Sequence, residues 1–157
     1  MKKKRVVIIS LLLLLVSVIG ISSYFLFKDK INLLDVDHSA VDWNGKKQKD
    51  TSGEENTIAI PGFEKVTLYA NETTQAVNFH NPEINDCYFK ISLIHPDGSV
   101  LWISDLIEPG KGMYSIELEK TLAVGEYENA VLKYECFSLS DQSPLNGSEI
   151  NLKLVVV

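Results

Sequence analysis

Seven stretches of this chain alternate apolar and polar residues with a period of two, the spacing of half-buried strands. They fall at 66–70, 74–79, 87–94, 100–106, 114–118, 130–136 and 150–156. The clearest sets Cys87, Phe89, Ile91 and Leu93 against Tyr88, Lys90, Ser92 and Ile94. Turn chemistry separates the stretches: Asn81-Pro82, His95-Pro96-Asp97-Gly98-Ser99, Pro109-Gly110-Lys111-Gly112, and a long connection over 138–147. Asp97-Gly98 supplies the φ values that a tight hairpin needs. The pattern predicts an all-β domain over 57–157. The expected form is an antiparallel two-sheet sandwich of about seven strands, immunoglobulin-like in character.

A different pattern precedes the domain. Val6 begins and Phe27 ends a run of 22 residues with no charged side chain. As a helix this run reaches about 33 Å, enough for a hydrocarbon core of about 30 Å. Lys2, Lys3, Lys4 and Arg5 flank its amino side, while Lys28, Asp29 and Lys30 follow it. The excess of positive charge predicts a cytoplasmic N-terminus (1–5), a transmembrane anchor (6–27) and an extracytoplasmic remainder. A cleaved leader is the competing reading. Val18-Ile19-Gly20 is a poor cleavage site, and the apolar run continues past it. Membrane lipid is therefore the first expected partner, and a Gram-positive surface the expected setting.

Charge refines this picture. Residues 28–56 hold five Lys and seven Asp or Glu, a charge of −2. Residues 57–157 hold six Lys and fourteen Asp or Glu, a charge of −8. An acidic domain argues against nucleic acid, whose phosphates need cationic contacts. Residues 44–56 offer no apolar side chain to bury, so 28–56 is expected to be a tether. Within it Ile31, Leu33, Leu34, Val36, Val41 and Trp43 are apolar enough for a short helix or an interfacial segment.

Cys87 and Cys136 each fall on the inward side of a strand. If the two strands lie antiparallel, the start of one meets the end of the other. A disulfide then closes a 49-residue loop (136 − 87). Two buried thiols packed as small hydrophobes are the alternative. The order Cys87, Trp102, Tyr134-x-Cys136 copies an immunoglobulin signature. The tight 95–99 turn nevertheless makes the Cys87 and Trp102 strands hairpin neighbours in one sheet. Trp102 is then expected to pack in the core or on a sheet face, and Tyr134 to be buried with a bonded hydroxyl.

Candidate chemistry is sparse. His38, His80 and His95 are scattered, and a metal site needs converging ligands. Inward cysteines in apolar surroundings are inert nucleophiles. Glu83, Asn85 and Asp86 form the richest oxygen cluster and are the weak candidates for calcium. Their spacing lacks the closing Glu of a regular calcium loop, and a turn with side chain to backbone bonds explains them as well. No cofactor motif and no catalytic set is expected. Loops 80–86, 95–99 and 138–147 are the expected interaction surface. Tyr88, Lys90 and Ile94 form an outward face, open to a partner or to a second sheet.

From about Ile58 onward the chain resembles a poorly characterised family of short Gram-positive surface proteins with a basic start and one apolar anchor. The resemblance is carried by Ile60-Pro61-Gly62, Phe79-His80-Asn81-Pro82-Glu83, Cys87-Tyr88-Phe89-Lys90-Ile91-Ser92-Leu93, Leu106-Ile107-Glu108-Pro109-Gly110, Leu132-Lys133-Tyr134-Glu135-Cys136 and Pro144-Leu145-Asn146-Gly147. Members sometimes carry the name tRNA (uracil-5-)-methyltransferase. These residues do not fit it, because no Gly-rich βα turn for a methyl donor is present. The expectation is a non-enzymatic binding or assembly module facing an envelope protein or glycan. One alternative is an accessory subunit of a conjugation or secretion apparatus. Another is a calcium- or carbohydrate-binding surface domain.

Overall fold

A computed structural model describes residues 33–45 and 57–157. The anchor expected at 6–27, its basic flank at 1–5 and the greater part of 28–56 lie outside the described residues. Within them the chain is all-β, with no helix. The strands are β1 (Val41–Asp42), β2 (Lys65–Leu68), β3 (Thr74–His80), β4 (Cys87–Ile94), β5 (Val100–Ile103), β6 (Lys111–Glu117), β7 (Gly125–Ser138) and β8 (Pro144–Val156). Each alternating stretch of the sequence overlaps one of β2–β8.

Two sheets form. One has three strands in the order β1-β6-β3, the other five in the order β2-β8-β7-β4-β5. Neighbours run antiparallel except β2 and β8, which are parallel. Phe89, Ile91 and Leu93 of β4 are fully buried in one core with Phe79 of β3 and Met113 and Ile116 of β6. Burying one such side chain contributes about 1.5–3 kcal/mol. Trp102 joins this core with its ring centroid 5.8 Å from that of Phe79, so a side chain of each sheet meets at that point. Tyr88, Lys90 and Ile94 therefore lie on the far face of the five-stranded sheet, beside Phe137, Glu135 and Val131.

Three expectations change. The long connection over 138–147 is much shorter, because β7 and β8 form a hairpin that pairs Phe137 with Pro144. Asn146, Gly147 and Ser148 belong to β8. Residues 34–45, expected to be part of the tether, also bond to the domain. Asp37 N–H donates to the Leu106 carbonyl (2.8 Å), Leu106 N–H to the Asp35 carbonyl (3.0 Å), and Trp43 N–H to the Gly110 carbonyl (2.9 Å). Gln142 reaches Leu34 with both ends of its carboxamide. These contacts use the backbone, so the polar composition of the segment does not prevent them. Finally, the strand expected over 100–106 pairs as a strand only to Ile103. Leu106 and Ile107 then make isolated bridges, to Val36 and Phe89.

Candidate functional site

The strands place two of the three expected surface loops at one end of the domain. β4 begins at Cys87, just after loop 81–86, and Cys87 lies opposite Ser138 at the end of β7. The 95–99 turn follows the other end of β4 and is therefore far from them. That turn closes on itself. His95 N–H donates to the Ser99 carbonyl and Ser99 N–H to Asp97 Oδ1, with Gly98 at φ +85°. The Ser99 hydroxyl and N–H, with His95, hold the Asp97 carboxyl well below the usual carboxylate range.

Loop 81–86 is built around two buried asparagines. Asn81 Nδ2 donates to the carbonyls of Cys87 (2.8 Å) and Ile107 (2.9 Å). Its Oδ1 accepts from Asn85 Nδ2 at 2.8 Å. Asn85 also donates to the Ala59 carbonyl (3.0 Å) and accepts from the Ala59 N–H (2.7 Å). Both carboxamides are thus used in full where water cannot replace them. The main chain adds Asn81 N–H to the Lys111 carbonyl and Gly110 N–H to the Asn81 carbonyl. A loop fixed in this way leaves Glu83, Ile84 and Asp86 facing outward.

The calcium candidates are consequently divided. Asn85 turns inward and its oxygen serves Ala59, while Glu83 and Asp86 are exposed. Among the described residues no three His, Cys, Asp or Glu side chains converge.

Ile84 is 77 % exposed and stands between two grooves, lining both. The first, about 760 Å³, is walled by Trp43, His80, Pro82, Glu83 and Pro109. The second, about 1030 Å³, is walled by Ile58, Ile60, Cys87, Leu145 and Asn146. Both linings mix polar and apolar surface in comparable measure, with Asp42, Asn44 and Glu83 in the first and Asn85, Asp86 and Asn146 in the second.

Trp43 is set firmly in the first groove. Its ring stacks on His80 at 3.8 Å with 9° between planes, and Nε1–H donates to Asn78 Oδ1 at 2.7 Å. Gly112 makes this possible, because a Cβ there would lie 2.8 Å from Trp43 Cδ1 and 2.9 Å from His80 Cβ. Beside the ring, the Lys111 ammonium holds the Asp42 carboxyl below its ordinary range. Trp43→Ala removes the stack and the hydrogen bond together. Limited proteolysis within 34–45 is expected to accelerate about tenfold, the factor corresponding to 1.4 kcal/mol. An unchanged cleavage rate would show that Trp43 does not hold this segment.

Cys87 and Cys136 are free buried thiols on adjacent antiparallel strands, as the sequence pattern allows. They are offset by one diagonal step, since Cys136 faces Phe89 and Cys87 faces Ser138. Tyr134 is buried, its hydroxyl donating to the Pro61 carbonyl at 3.4 Å, and burial pushes its phenol up.

The sequence reading singled out the 80–86 loop but missed the parts played by Asn81, Ile84 and Trp43. Asn81 and Asn85 look like ordinary loop residues, and only the fold shows that their side chains point inward. The one available signal was Ile84, an apolar residue in the middle of a polar loop. No protein-family model, curated protein or solved structure matches this chain.

Proposed function

We propose that this chain is a binding or assembly module at a Gram-positive cell surface. In this reading the N-terminal run is a permanent anchor, and the two sheets form an immunoglobulin-like sandwich outside the membrane. A partner docks at the end of the sandwich that carries loop 81–86. The supporting observation is Ile84, a large apolar side chain held out in solvent by a loop that is fixed by the bonded side chains of Asn81 and Asn85. An anchored aliphatic between two clefts is a natural centre for an interface, where a few residues carry most of the affinity. An accessory role in a conjugation or secretion apparatus is a narrower form of the same reading.

The test is a photo-cross-linking residue at position 84 of the full-length chain in its own cells, with the same probe at Val124. Val124 is 71 % exposed and immediately precedes the distal end of β7. A discrete product at 84 that is absent at 124 is the expected result. Identical patterns, or none, would remove the proposal. Ile84→Asp should then weaken capture of the cross-linked partner at least about tenfold.

A second reading, a glycan-binding groove, is favoured by the fixed Trp43 ring with Asp42, Asn44 and Glu83 around it. Trp43→Ala would abolish glycan retention, whereas Ile84→Asp would leave most of it.

A further inference from the structure

The diagonal between Cys87 and Cys136 has a specific geometry. Phe89 directs both its N–H and its carbonyl to Ile107, away from β7. Cys87, two residues earlier on the same strand, offers its carbonyl to Asn81 Nδ2. The pairs Phe89–Cys136 and Cys87–Ser138 are therefore of the kind that makes no ladder bonds, where facing side chains approach most closely. Strand twist shortens one diagonal of such a pair, and Cys87 and Cys136 stand at the two ends of a diagonal. Each residue is 1 % exposed, and both belong to the core.

We propose that Cys87 and Cys136 are a disulfide-forming pair that covalently joins β4 to β7 beside the larger groove. Cys87 lines that groove directly. Cys136 pairs with Leu145, which lines the same groove. The oxidant is a second disulfide, of a small thiol or of a dithiol oxidoreductase. Cys87 as thiolate attacks one sulfur of the oxidant, and the other sulfur leaves and takes up a proton. Cys136, deprotonated in turn, attacks the Cys87 sulfur of this mixed disulfide and expels the second thiol. Two protein thiols are oxidised and one disulfide is reduced to two thiols, so electrons and protons balance. Cys87 is the first nucleophile because it, and not Cys136, lines the groove from which an oxidant enters. Because both sulfurs are covered in the folded domain, exchange takes place during folding or a transient opening.

The inference does not depend on what the groove binds, since it is read from thiols and masses alone. The full-length chain is unfolded, refolded in detergent with oxidised glutathione, acid-quenched and alkylated under denaturing conditions. The expected result is a monomer with no alkylatable thiol and one linked peptide pair containing Cys87 and Cys136. Reduction should lower the melting temperature by ~10 °C. Cys136→Ser should stop at a glutathione adduct on Cys87. Two alkylatable thiols in a chain that has regained its β-sheet circular dichroism would overturn the proposal, as would covalent dimers as the main product. If refolding fails, the same thiol count is made on chain quenched directly from the membranes of its own cells. Two free thiols there overturn it equally.

Discussion

Gly147→Val is expected to destabilise the domain by about 3 kcal/mol, among the larger single-residue effects, and to lower its melting temperature by roughly 10–20 °C. Gly147 lies where β8 carries an extra residue. Tyr134 pairs with Ser148 and Cys136 with Leu145, so Asn146 and Gly147 share the space opposite Glu135. A bulge of this kind bends the strand and brings the backbones together. A Cβ built on Gly147 would lie 2.2 Å from the Tyr134 carbonyl oxygen. That oxygen belongs to the main chain of a central strand, so the strand itself must move. Tyr134, Cys136 and Leu132 on β7 are all core residues, and a shift of β7 disturbs them together. Alanine should cause most of the loss, because the clash begins at the first carbon. A variant that melts within about 1 °C of the parent, a shift worth only a few tenths of a kcal/mol, would show that the hairpin relaxes freely at the bulge.

The second large effect is expected from Asn81→Asp, which changes almost no volume. The substitution puts an oxygen where Nδ2 now donates to two carbonyls, turning two attractions into repulsions. It leaves the Cys87 carbonyl without this donor, and an unsatisfied buried group costs about 1–3 kcal/mol. A loss of about 3 kcal/mol at pH 7 is expected when the buried charge is included. The pH dependence identifies the cause. Burial and the facing carbonyls raise the pKa of the new acid in the folded state above its ordinary value of about 3.9. The folded chain then holds the proton more tightly than the unfolded chain. The penalty is complete above the folded pKa and shrinks as pH falls toward the unfolded pKa. Thermal melts at pH 7 and pH 4.5, each compared with the parent at the same pH, should show partial recovery at the lower value. Equal losses at both would mean that the charge is not the cause.

The strands were readable because each carries its own alternation, a local property. Cys87, Phe89, Ile91 and Leu93 point inward as the period of two demands. The hairpin of β4 and β5 was also readable, since the 95–99 turn fixes it. Three features were not. The pairing of β2 with β8 joins residues such as Lys65 and Lys153, and nothing in either strand specifies the other. The extent of β8 was hidden by Pro144, Asn146 and Gly147, residues that normally end strands. They are tolerated because β2 covers only Lys153–Val156, so the earlier part of β8 is an open edge where proline and glycine are accepted. The docking of the 34–45 segment depends on backbone bonds to Leu106 and Gly110, which leave no mark in side-chain composition. The candidate site was half legible. Its loop stood out by polarity, but the inward turn of Asn81 and Asn85 is set by carbonyls of Ala59, Cys87 and Ile107, distant in the chain from one another.

The parallel pairing of β2 with β8 also determines how the domain responds to tension. Lys65 lies beside Lys153 and Leu68 beside Val156, and the ladder continues where the Val157 N–H donates to the Leu68 carbonyl. Pulling Lys65 and Val157 apart draws the two strands past each other along their length. Their hydrogen bonds are then strained in shear, all together, instead of opening one after another as a zipper does. A domain joined in this way resists stretching along that axis far better than its thermal stability alone would indicate.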